Sequence, residues 1–388
     1  MRKKIDLIYF NAGGGHRSAA TALQEAIRRE NRPWDVRLVN LFEVLDPKGS
    51  FRKRTGLAPE DLYNMRLKRG WTIGLATELK VLQVMIRIGH SAMLRRLERY
   101  WDTNQSDLVV SLVPNFNKVI YQSVKNKIPD VPYVTVLTDI ADYPPHFWME
   151  PGLDQHIVCG SSRAVEQAIS CGYADHHITQ TSGMILKPSF HQPVIFDRQQ
   201  ELINLGLDPV KPTGIVMFGG HGSADMLRIA KSLQDIQLIM MCGHNALLAE
   251  KIRSQPSLSQ HVAIGFSTNV ERYLSLGDFF IGKPGPGSIS EAVHMGLPVI
   301  TIENAWTMPQ ERYNTQWIRE RGAGIVIPSL RGIRKNISML IDNLEQFKTS
   351  VSSIKNNALY EVIEVLARQL NEQDLHLKTS CLASSTPD

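Results

Sequence analysis

Short apolar runs, each followed by glycine or polar residues and then by a helical pattern, recur along the chain. In the N-terminal part they predict strands at Ile5 to Phe10, Leu108 to Leu112 and Tyr133 to Leu137. After the linker-like segment Gly183 to Pro188, the pattern restarts with a strand at Gly214 to Phe218. Short buried strands that alternate with helices are typical of parallel sheets. The pattern predicts an α/β fold of two Rossmann-like, doubly wound domains facing a central cleft.

The same pattern sets the predicted boundaries. We expect one domain over 1–183, a second over 184–348, a C-terminal helix over 349–374 and a short disordered tail over 375–388. The tail is polar and ends in Ser-Ser-Thr-Pro-Asp, a composition that does not bury a core.

The most informative stretch is 282–292, where an apolar strand, a glycine loop and a helix start follow one another. The strand is Phe279-Phe280-Ile281, and Ile289 to Met295 predicts the helix. Glycines let a backbone approach a ligand, and a helix N-terminus offers unpaired N–H groups to a phosphate or diphosphate. Glu291 lies one turn into the helix, where its carboxylate can accept from two sugar hydroxyls. Packing alone also explains glycine loops, so both interpretations remain open.

A second strand, loop and helix unit opens the chain and contains His16. The loop holds Gly13-Gly14-Gly15, and Ala19 to Arg29 predicts the helix. A GxGxxG pattern is absent and no acidic residue ends the next strand, which disfavours a dinucleotide site. A histidine at the carboxyl end of a first strand is a candidate catalytic residue, although it can also cap the helix or fill the loop.

Two further groups of polar residues lie after predicted strands. Asp139 follows the strand ending at Leu137, where it can orient a histidine, contact a hydroxyl or cap a turn. Gln310, Glu311 and Asn314 fall on one side of a helix start, so they can converge on one polar ligand.

Composition narrows the class of protein. The chain has 388 residues, of which 43% are hydrophobic and 21% charged, which is ordinary for a soluble globular protein. No apolar run is long enough to span a bilayer, and Asp6 interrupts any signal-peptide core. The four cysteines lack zinc spacing, and Asp-x-Asp, the usual motif for a metal-held diphosphate, is absent. We expect a cytoplasmic protein with no bound metal.

Basic residues concentrate between Lys48 and Trp101, where twelve Lys and Arg stand against four Asp and Glu. Apolar residues recur there at helical spacing, from Leu75 through Leu79, Leu82, Ile86 and Met93 to Leu97, with an interruption near Gly89. The pattern fits a basic helix lying on an anionic membrane, and equally a helix that faces the core. Nucleic-acid binding is disfavoured because interleaved aromatic residues are lacking. The candidates for membrane or acceptor contact are Arg52, Lys53, Arg54, Arg66, Lys68, Arg69 and Trp71.

These motifs together resemble the galactosyldiacylglycerol synthase (monogalactosyldiacylglycerol synthase) family of UDP-sugar glycosyltransferases. That family is related to the transferase that adds N-acetylglucosamine to the lipid-linked peptidoglycan precursor. The matching pieces occur in the family's order from residue 11 to about 327. They are Gly13-Gly14-Gly15-His16-Arg17, Tyr63-Asn64, Leu67-Lys68-Arg69-Gly70-Trp71-Thr72, Thr138-Asp139, Cys242-Gly243-His244-Asn245, Gly265-Phe266, Gly285-Pro286-Gly287-Ser288, Ser290-Glu291-Ala292, Gln310-Glu311 and Asn314.

The resemblance implies a GT-B architecture and inverting transfer of a hexose from a UDP-sugar to the hydroxyl of diacylglycerol. It places the acceptor and the membrane surface at the N-terminal domain and the donor at the C-terminal one. His16 would be the general base, with Asp139 as a second catalytic residue, and no metal would be required. Gly287 and Ser288 would face the diphosphate, Glu291 the ribose, and Gln310 and Glu311 the sugar. The remaining donor-binding candidates are Gly15, Gly220, Gly243, Phe266, Gly285 and Asn314.

Two segments depart from the family's pattern, at 219–223 and at 302–309, and both lie near the expected donor site. They leave the identity of the sugar open. The alternatives are a transferase with another lipid-linked acceptor, a UDP-sugar 2-epimerase and a non-catalytic nucleotide-sugar sensor. The expected location is the cytoplasm, peripherally associated with the inner face of the cell membrane.

Overall fold

The structure, a computed structural model, describes residues 2–11, 14–49, 53, 75–257 and 259–383, with the side chains of 75–80 and 374–383 left aside. The chain forms two compact units. Among the described residues, the N-unit contains those up to Pro188 together with the segment from Asn357 onward, and the C-unit contains Ser189–Asn356. The sequence-based division at 183/184 lies close to the end of the first segment.

The N-unit is built on a parallel sheet of six strands. In spatial order the strands run β2-β1-β3-β4-β5-β6, so the order reverses direction between β1 and β3. Open sheets of this kind place their sites at the carboxyl ends of the strands beside such a reversal. The strands are β1 (Lys3–Tyr9), β2 (Trp34–Asn40), β3 (Leu108–Ser111), β4 (Tyr133–Val136), β5 (His156–Cys159) and β6 (Ile178–Gln180).

In the described part of the N-unit, five helices precede residue 189, and a 3-10 turn covers Asp175–His177. Helix α1 buries Ala19, Leu23 and Ile27 against the sheet because these positions recur at helical spacing. The helices are α1 (Gly15–Arg29), α2 (Leu41–Leu45), α3 (Leu75–Thr103), α4 (Asn117–Lys127) and α5 (Ser162–Ser170).

Helix α3 runs without a break from Leu75 to Thr103, through the gap in the apolar spacing near Gly89. Ile86, Met93 and Leu97 belong to the apolar cluster on one face of the sheet, with Leu97 fully buried. At these three positions the apolar stripe seen in the sequence faces the core, as in the second of the two interpretations above.

The C-unit has its own six-stranded parallel sheet, ordered β12-β11-β10-β7-β8-β9. Counted from its first strand, this is the strand order of dinucleotide-binding domains, with the reversal between β7 and β10. The strands are β7 (Thr213–Met217), β8 (Gln237–Gly243), β9 (His261–Gly265), β10 (Phe279–Gly282), β11 (Val299–Ile302) and β12 (Gly324–Ile327).

The C-unit helices cover both faces of this sheet, and 3-10 turns occur at Pro188–His191 and Pro309–Glu311. A large apolar cluster includes Phe279 and Ile281 of β10. The helices are α6 (Arg198–Asn204), α7 (Asp225–Ser232), α8 (Ala246–Arg253), α9 (Val270–Leu274), α10 (Pro286–His294), α11 (Arg312–Glu320), α12 (Ile333–Asp342) and α13 (Leu344–Ser352).

The last helix, α14 (Ala358–Ala383), returns to the N-unit. Leu359, Ile363 and Leu366 are fully buried in the cluster that contains α1 and β1. The helix extends to Ala383, past residue 375, where the sequence predicted the start of a disordered tail. None of the helices in the described part of the chain combines the length and the apolar content that a bilayer crossing needs. The prediction of two doubly wound parallel sheets is confirmed.

Candidate active site

His16 lies in the first turn of α1, directly beyond the carboxyl end of β1. Gly14 caps the helix with a φ of 82°, a backbone conformation that glycine adopts without strain. The Nδ1 atom of His16 is 2.9 Å from the Thr138 hydroxyl, just past the end of β4. The imidazole contacts two aromatic rings, with centroid distances of 4.5 Å to Phe10 and 5.8 Å to Trp148.

This packing changes the protonation of His16. Burial lowers its pKa from 6.5 to about 4, while a hydrogen bond to the backbone carbonyl of Leu112 acts in the opposite direction. At neutral pH the imidazole is therefore uncharged, which is the form that accepts a proton.

Asp139 is buried next to Thr138, and one of its carboxylate oxygens bonds to the Trp148 side chain. Its Oδ2 accepts a hydrogen bond from the Trp148 indole at 2.9 Å. Thr138 makes the contact to His16 Nδ1, and Trp148 stands between Asp139 and the imidazole ring. The structure thus links Asp139 to His16 through the tryptophan.

A second carboxylate, Asp142, holds the loop that carries Trp148. It accepts from the backbone N–H groups of His146 at 3.0 Å and Trp148 at 2.6 Å. Burial raises the pKa of Asp142, and these hydrogen bonds act to lower it. Asp139 and Asp142 thus both hold this loop in place, and the Trp148 indole lies against His16.

In the C-unit, the loops after β7 and β8 touch through their backbones. The His244 N–H donates to the Gly220 carbonyl at 2.9 Å. Gly243 has a φ of 58°, and a Cβ added there would lie 2.2 Å from the same carbonyl oxygen. Only glycine fits this contact, because a real Cβ does not approach an oxygen so closely.

The loop after β10 leads into α10, the helix predicted from the sequence. Gly285 is the N-cap and Pro286 occupies the first turn, where its missing N–H costs nothing. Gly287 is exposed, and a Cβ there would meet nothing within 4 Å. Ser288 and Glu291 are partly exposed. The start of α10 is therefore accessible to an anion.

The predicted group Gln310, Glu311 and Asn314 packs against this loop. Glu311 forms an ion pair with Lys283, with 2.9 Å between Nζ and Oε1. The Asn314 amide donates to the Pro284 carbonyl at 2.7 Å, while its Oδ1 is buried without a hydrogen-bond partner among the described residues. Gln310 is also buried.

Phe266 lies just beyond the end of β9 and is 58% exposed. Its ring stacks on His244, with centroids 4.0 Å apart and an angle of 17° between the planes. The stack gives the carboxyl edge of the sheet an exposed aromatic surface of the kind that a planar base can cover.

Of the seven residues predicted for membrane or acceptor contact, only Lys53 is described, and it is exposed. Arg52, Arg54, Arg66, Lys68, Arg69 and Trp71 lie outside the described residues. Within the ranges that the structure describes, no three His, Cys, Asp or Glu side chains are grouped as metal ligands would be.

Sequence reasoning did not select four residues that the structure brings into these sites: Thr138, Trp148, Lys283 and His244. Thr138, Lys283 and His244 lie inside or next to motifs named in the sequence analysis, and this proximity was the signal that could have identified them. Trp148 had no such signal, since the loop that brings it to His16 depends on the fold of residues 139–148.

Two sequence profiles match the chain, one in its N-terminal part and one in its C-terminal part. Residues 16–183 match the monogalactosyldiacylglycerol (MGDG) synthase family, and residues 216–370 match the glycosyltransferase family 28 C-terminal domain. The fold and these matches define the chain as a glycosyltransferase of the two-domain GT-B class.

Individual relatives resemble this chain over most of its length. The chain is 25% identical to a probable monogalactosyldiacylglycerol synthase from Glycine max, over 98% of this chain and 74% of the relative. It is also 25% identical to monogalactosyldiacylglycerol synthase 3 from Arabidopsis thaliana, over 92% and 77%. The crystal structure of Acinetobacter baumannii MurG shares the fold, with a TM-score of 0.60, 12% identity and coverage of 94% and 99%. The predicted resemblance to the monogalactosyldiacylglycerol synthase family is confirmed.

Proposed function

We propose that this glycosyltransferase moves a hexose from a UDP-sugar to the hydroxyl of diacylglycerol, with inversion at the sugar's anomeric carbon. The observation that carries the proposal is a neutral His16 at the carboxyl end of β1, in a chain whose two halves match glycosyltransferase families. The relatives matched over most of the chain are named as synthases of monogalactosyldiacylglycerol, which supports galactose and diacylglycerol as the substrates.

His16 acts as the general base. Its Nδ1 forms a hydrogen bond with the Thr138 hydroxyl, and the neutral ring has one nitrogen lone pair that can take the acceptor's proton. The acceptor oxygen forms a bond to the anomeric carbon while the bond from that carbon to UDP breaks on the opposite face. The proton ends on the imidazole, UDP leaves with the electron pair, and the configuration inverts. Asp139 holds Trp148 against the imidazole and keeps water from it.

The C-unit holds the donor. The N–H groups at the start of α10, at Gly287 and Ser288, bind the diphosphate and stabilise the charge that develops on it. Glu291 accepts from the ribose, and Phe266 stacked on His244 receives the uracil. Gln310 and Glu311 bind the sugar, and Asn314 fixes the loop at Pro284. Gly243 lets its loop pack against the Gly220 carbonyl, and Gly285 leaves the start of α10 open.

We propose that transfer needs no metal ion. Support comes from the accessible helix N-terminus, whose partial positive charge faces the diphosphate. Activity in excess chelator is the expected result, and a complete loss that magnesium restores would contradict this part of the proposal.

We also propose that the protein works at the cytoplasmic surface of an anionic membrane, which supplies the lipid acceptor. A second apolar face of α3 supports this, at Val81, Val84, Met85 and Ile88, all at least half exposed. These positions follow the i, i+3, i+4, i+7 pattern of one helix face. Arg95 and Arg99 continue the same face and are exposed, so their charge matches anionic lipid headgroups.

The deciding experiment measures radiolabelled sugar transfer into organic-extractable lipid. The purified protein is mixed with diacylglycerol vesicles and, separately, UDP-galactose, UDP-glucose and UDP-N-acetylglucosamine. Label from UDP-galactose is the expected result. Label in another lipid-linked acceptor only, or interconversion of the UDP-sugars without lipid, would replace the proposal with the corresponding alternative. Binding of all donors with neither outcome would indicate a sensor.

A further inference from the structure

The side chain of Lys283 occupies the reversal point of the C-unit sheet. It follows β10 directly, and its Cε lies 3.9 Å from the position a Cβ would take at Gly219, in the loop after β7. A Cβ at Gly285 would lie 3.3 Å from the same Cε, 3.6 Å from Glu311 Oε1 and 3.6 Å from Ser288 Oγ. An ammonium-bearing chain, a carboxylate and a hydroxyl therefore surround the start of α10.

The two members of the Lys283–Glu311 pair have different exposure. The Glu311 side chain is 6% exposed, whereas that of Lys283 is 36% exposed. A carboxylate that water hardly reaches is costly unless a cation or hydrogen bonds compensate for it. Lys283 supplies that charge at 2.9 Å, and it does so through only one of the two carboxylate oxygens, Oε1.

We propose that Lys283 is a positioning residue for the donor sugar, because it holds the Glu311 carboxylate in a fixed orientation. The inference rests on the proposed function, in which Glu311 binds the sugar. A carboxylate only accepts hydrogen bonds, so with Oε1 held by Lys283 it presents Oε2 to sugar hydroxyls. Galactose and glucose differ only in the direction of one hydroxyl, at C4. A carboxylate fixed in one place distinguishes them, and a mobile one does so less well.

The test is a double-mutant cycle of Lys283→Met, Glu311→Gln and the double variant, read out as the affinities of UDP, UDP-galactose and UDP-glucose by calorimetry. Lys283→Met is expected to weaken the preferred UDP-hexose about tenfold, since a hydrogen bond to a charged group is lost, and to reduce the preference between the two hexoses. UDP itself should change less than twofold. In the Glu311→Gln background, Lys283→Met should add almost nothing, because its effect passes through the carboxylate.

Two controls separate this role from stability. Lys283→Arg keeps the cation and should retain most of the discrimination, and Lys335→Met removes an exposed lysine of α12 that belongs to no site. Thermal unfolding of each variant identifies any that fails to fold, in which case the arginine variant carries the test through its hexose preference. An equal loss of UDP affinity would show that the ammonium serves the diphosphate and overturn the inference, as would additive effects of the two substitutions.

The inference and the proposed function fail in different ways. Wild-type protein that binds UDP-hexoses but transfers nothing would contradict the transferase, while the coupling between Lys283 and Glu311 would still be measured by binding. Normal transfer with no coupling would contradict the inference alone. A wild type that binds no UDP-sugar would contradict both.

Discussion

The carboxyl ends of the two sheets carry opposite kinds of chemistry on the same strand, loop and helix pattern. In the N-unit the loop after β1 places His16 among Phe10 and Trp148, and burial lowers the pKa of the imidazole to about 4. In the C-unit the loop after β10 leaves the start of α10 open and sets an ion pair beside it. In the proposed mechanism, the first loop supplies a neutral proton acceptor and the second an anion site.

The residues that follow each strand determine which chemistry the carboxyl end of that strand can support. Aromatic rings exclude water and favour an uncharged base, whereas glycines expose backbone N–H groups whose charge cannot be titrated. A reaction that removes a proton from one substrate and releases a diphosphate from another needs both. The following predictions alter one unit at a time.

Among the variants that keep the candidate base, the largest effect is expected from Gly243→Ala in the C-unit. The added Cβ would overlap the Gly220 carbonyl, and separating the two loops at a cost of about 3 kcal/mol weakens UDP binding roughly a hundredfold. Calorimetry with UDP measures the change. Gly206→Ala is the matched control, since Gly206 also has a positive φ, of 74°, but a Cβ there would meet only the Gln260 side chain near 3.9 Å. Equal losses in both variants would show that backbone strain, not the loop contact, matters.

The next largest effect concerns the exposed apolar face of α3 that is proposed to contact the membrane. Replacing Val84 and Ile88 by glutamate removes two side chains from the exposed apolar face of α3. Binding to anionic vesicles should fall about thirtyfold, which corresponds to about 2 kcal/mol of lost apolar burial. Vesicle sedimentation measures it, and Val210→Glu, at a site 89% exposed in the C-unit, is the control. Unchanged sedimentation of the double variant would contradict the proposed contact between that face and the membrane.

A smaller effect is expected from Thr138→Val. The variant keeps the shape of the side chain but removes the hydroxyl that bonds to His16 Nδ1. The imidazole thus loses a hydrogen bond of about 1 kcal/mol that fixes its orientation. The kcat of transfer should fall about fivefold with UDP affinity unchanged. Steady-state kinetics with both substrates checks this. A change confined to the donor KM would place Thr138 in donor binding instead.

The smallest change is expected on acidification. Because the pKa of His16 is lowered to about 4, its neutral form persists as the pH falls, and only below about 5 does protonation remove the base. The kcat of transfer should therefore vary less than about twofold between pH 8 and pH 6. A pH profile on vesicles of constant charge tests the point. An acidic limb centred near 6.5 would mean that the imidazole is not desolvated during the reaction.

Much of the fold was accessible from the sequence because buried parallel strands are short apolar runs bounded by glycine or polar residues. The strand before α10 and the helix itself were predicted within a few residues. Periodicity does not say which partner a helix packs against. The return of α14 to the N-unit and the inward face of α3 therefore required the structure.

The candidate sites divide in the same way. His16 and Glu311 were identified because they lie directly after strands or in a helix start, which is local information. Their neighbours depend on contacts between distant segments, with 122 residues separating His16 from Thr138 and 28 separating Lys283 from Glu311. No pattern within one element encodes such pairs.

The central claim is that the N-unit supplies the base and the C-unit holds the donor. The most direct test compares wild type and His16→Ala for UDP-galactose affinity by calorimetry and for label transferred to diacylglycerol. The account predicts equal affinity within about twofold. It also predicts that transfer falls about a thousandfold, which is a typical contribution of a general base to the rate. A variant that keeps more than about a tenth of the transfer, or that loses donor binding in parallel with it, would contradict this division of roles.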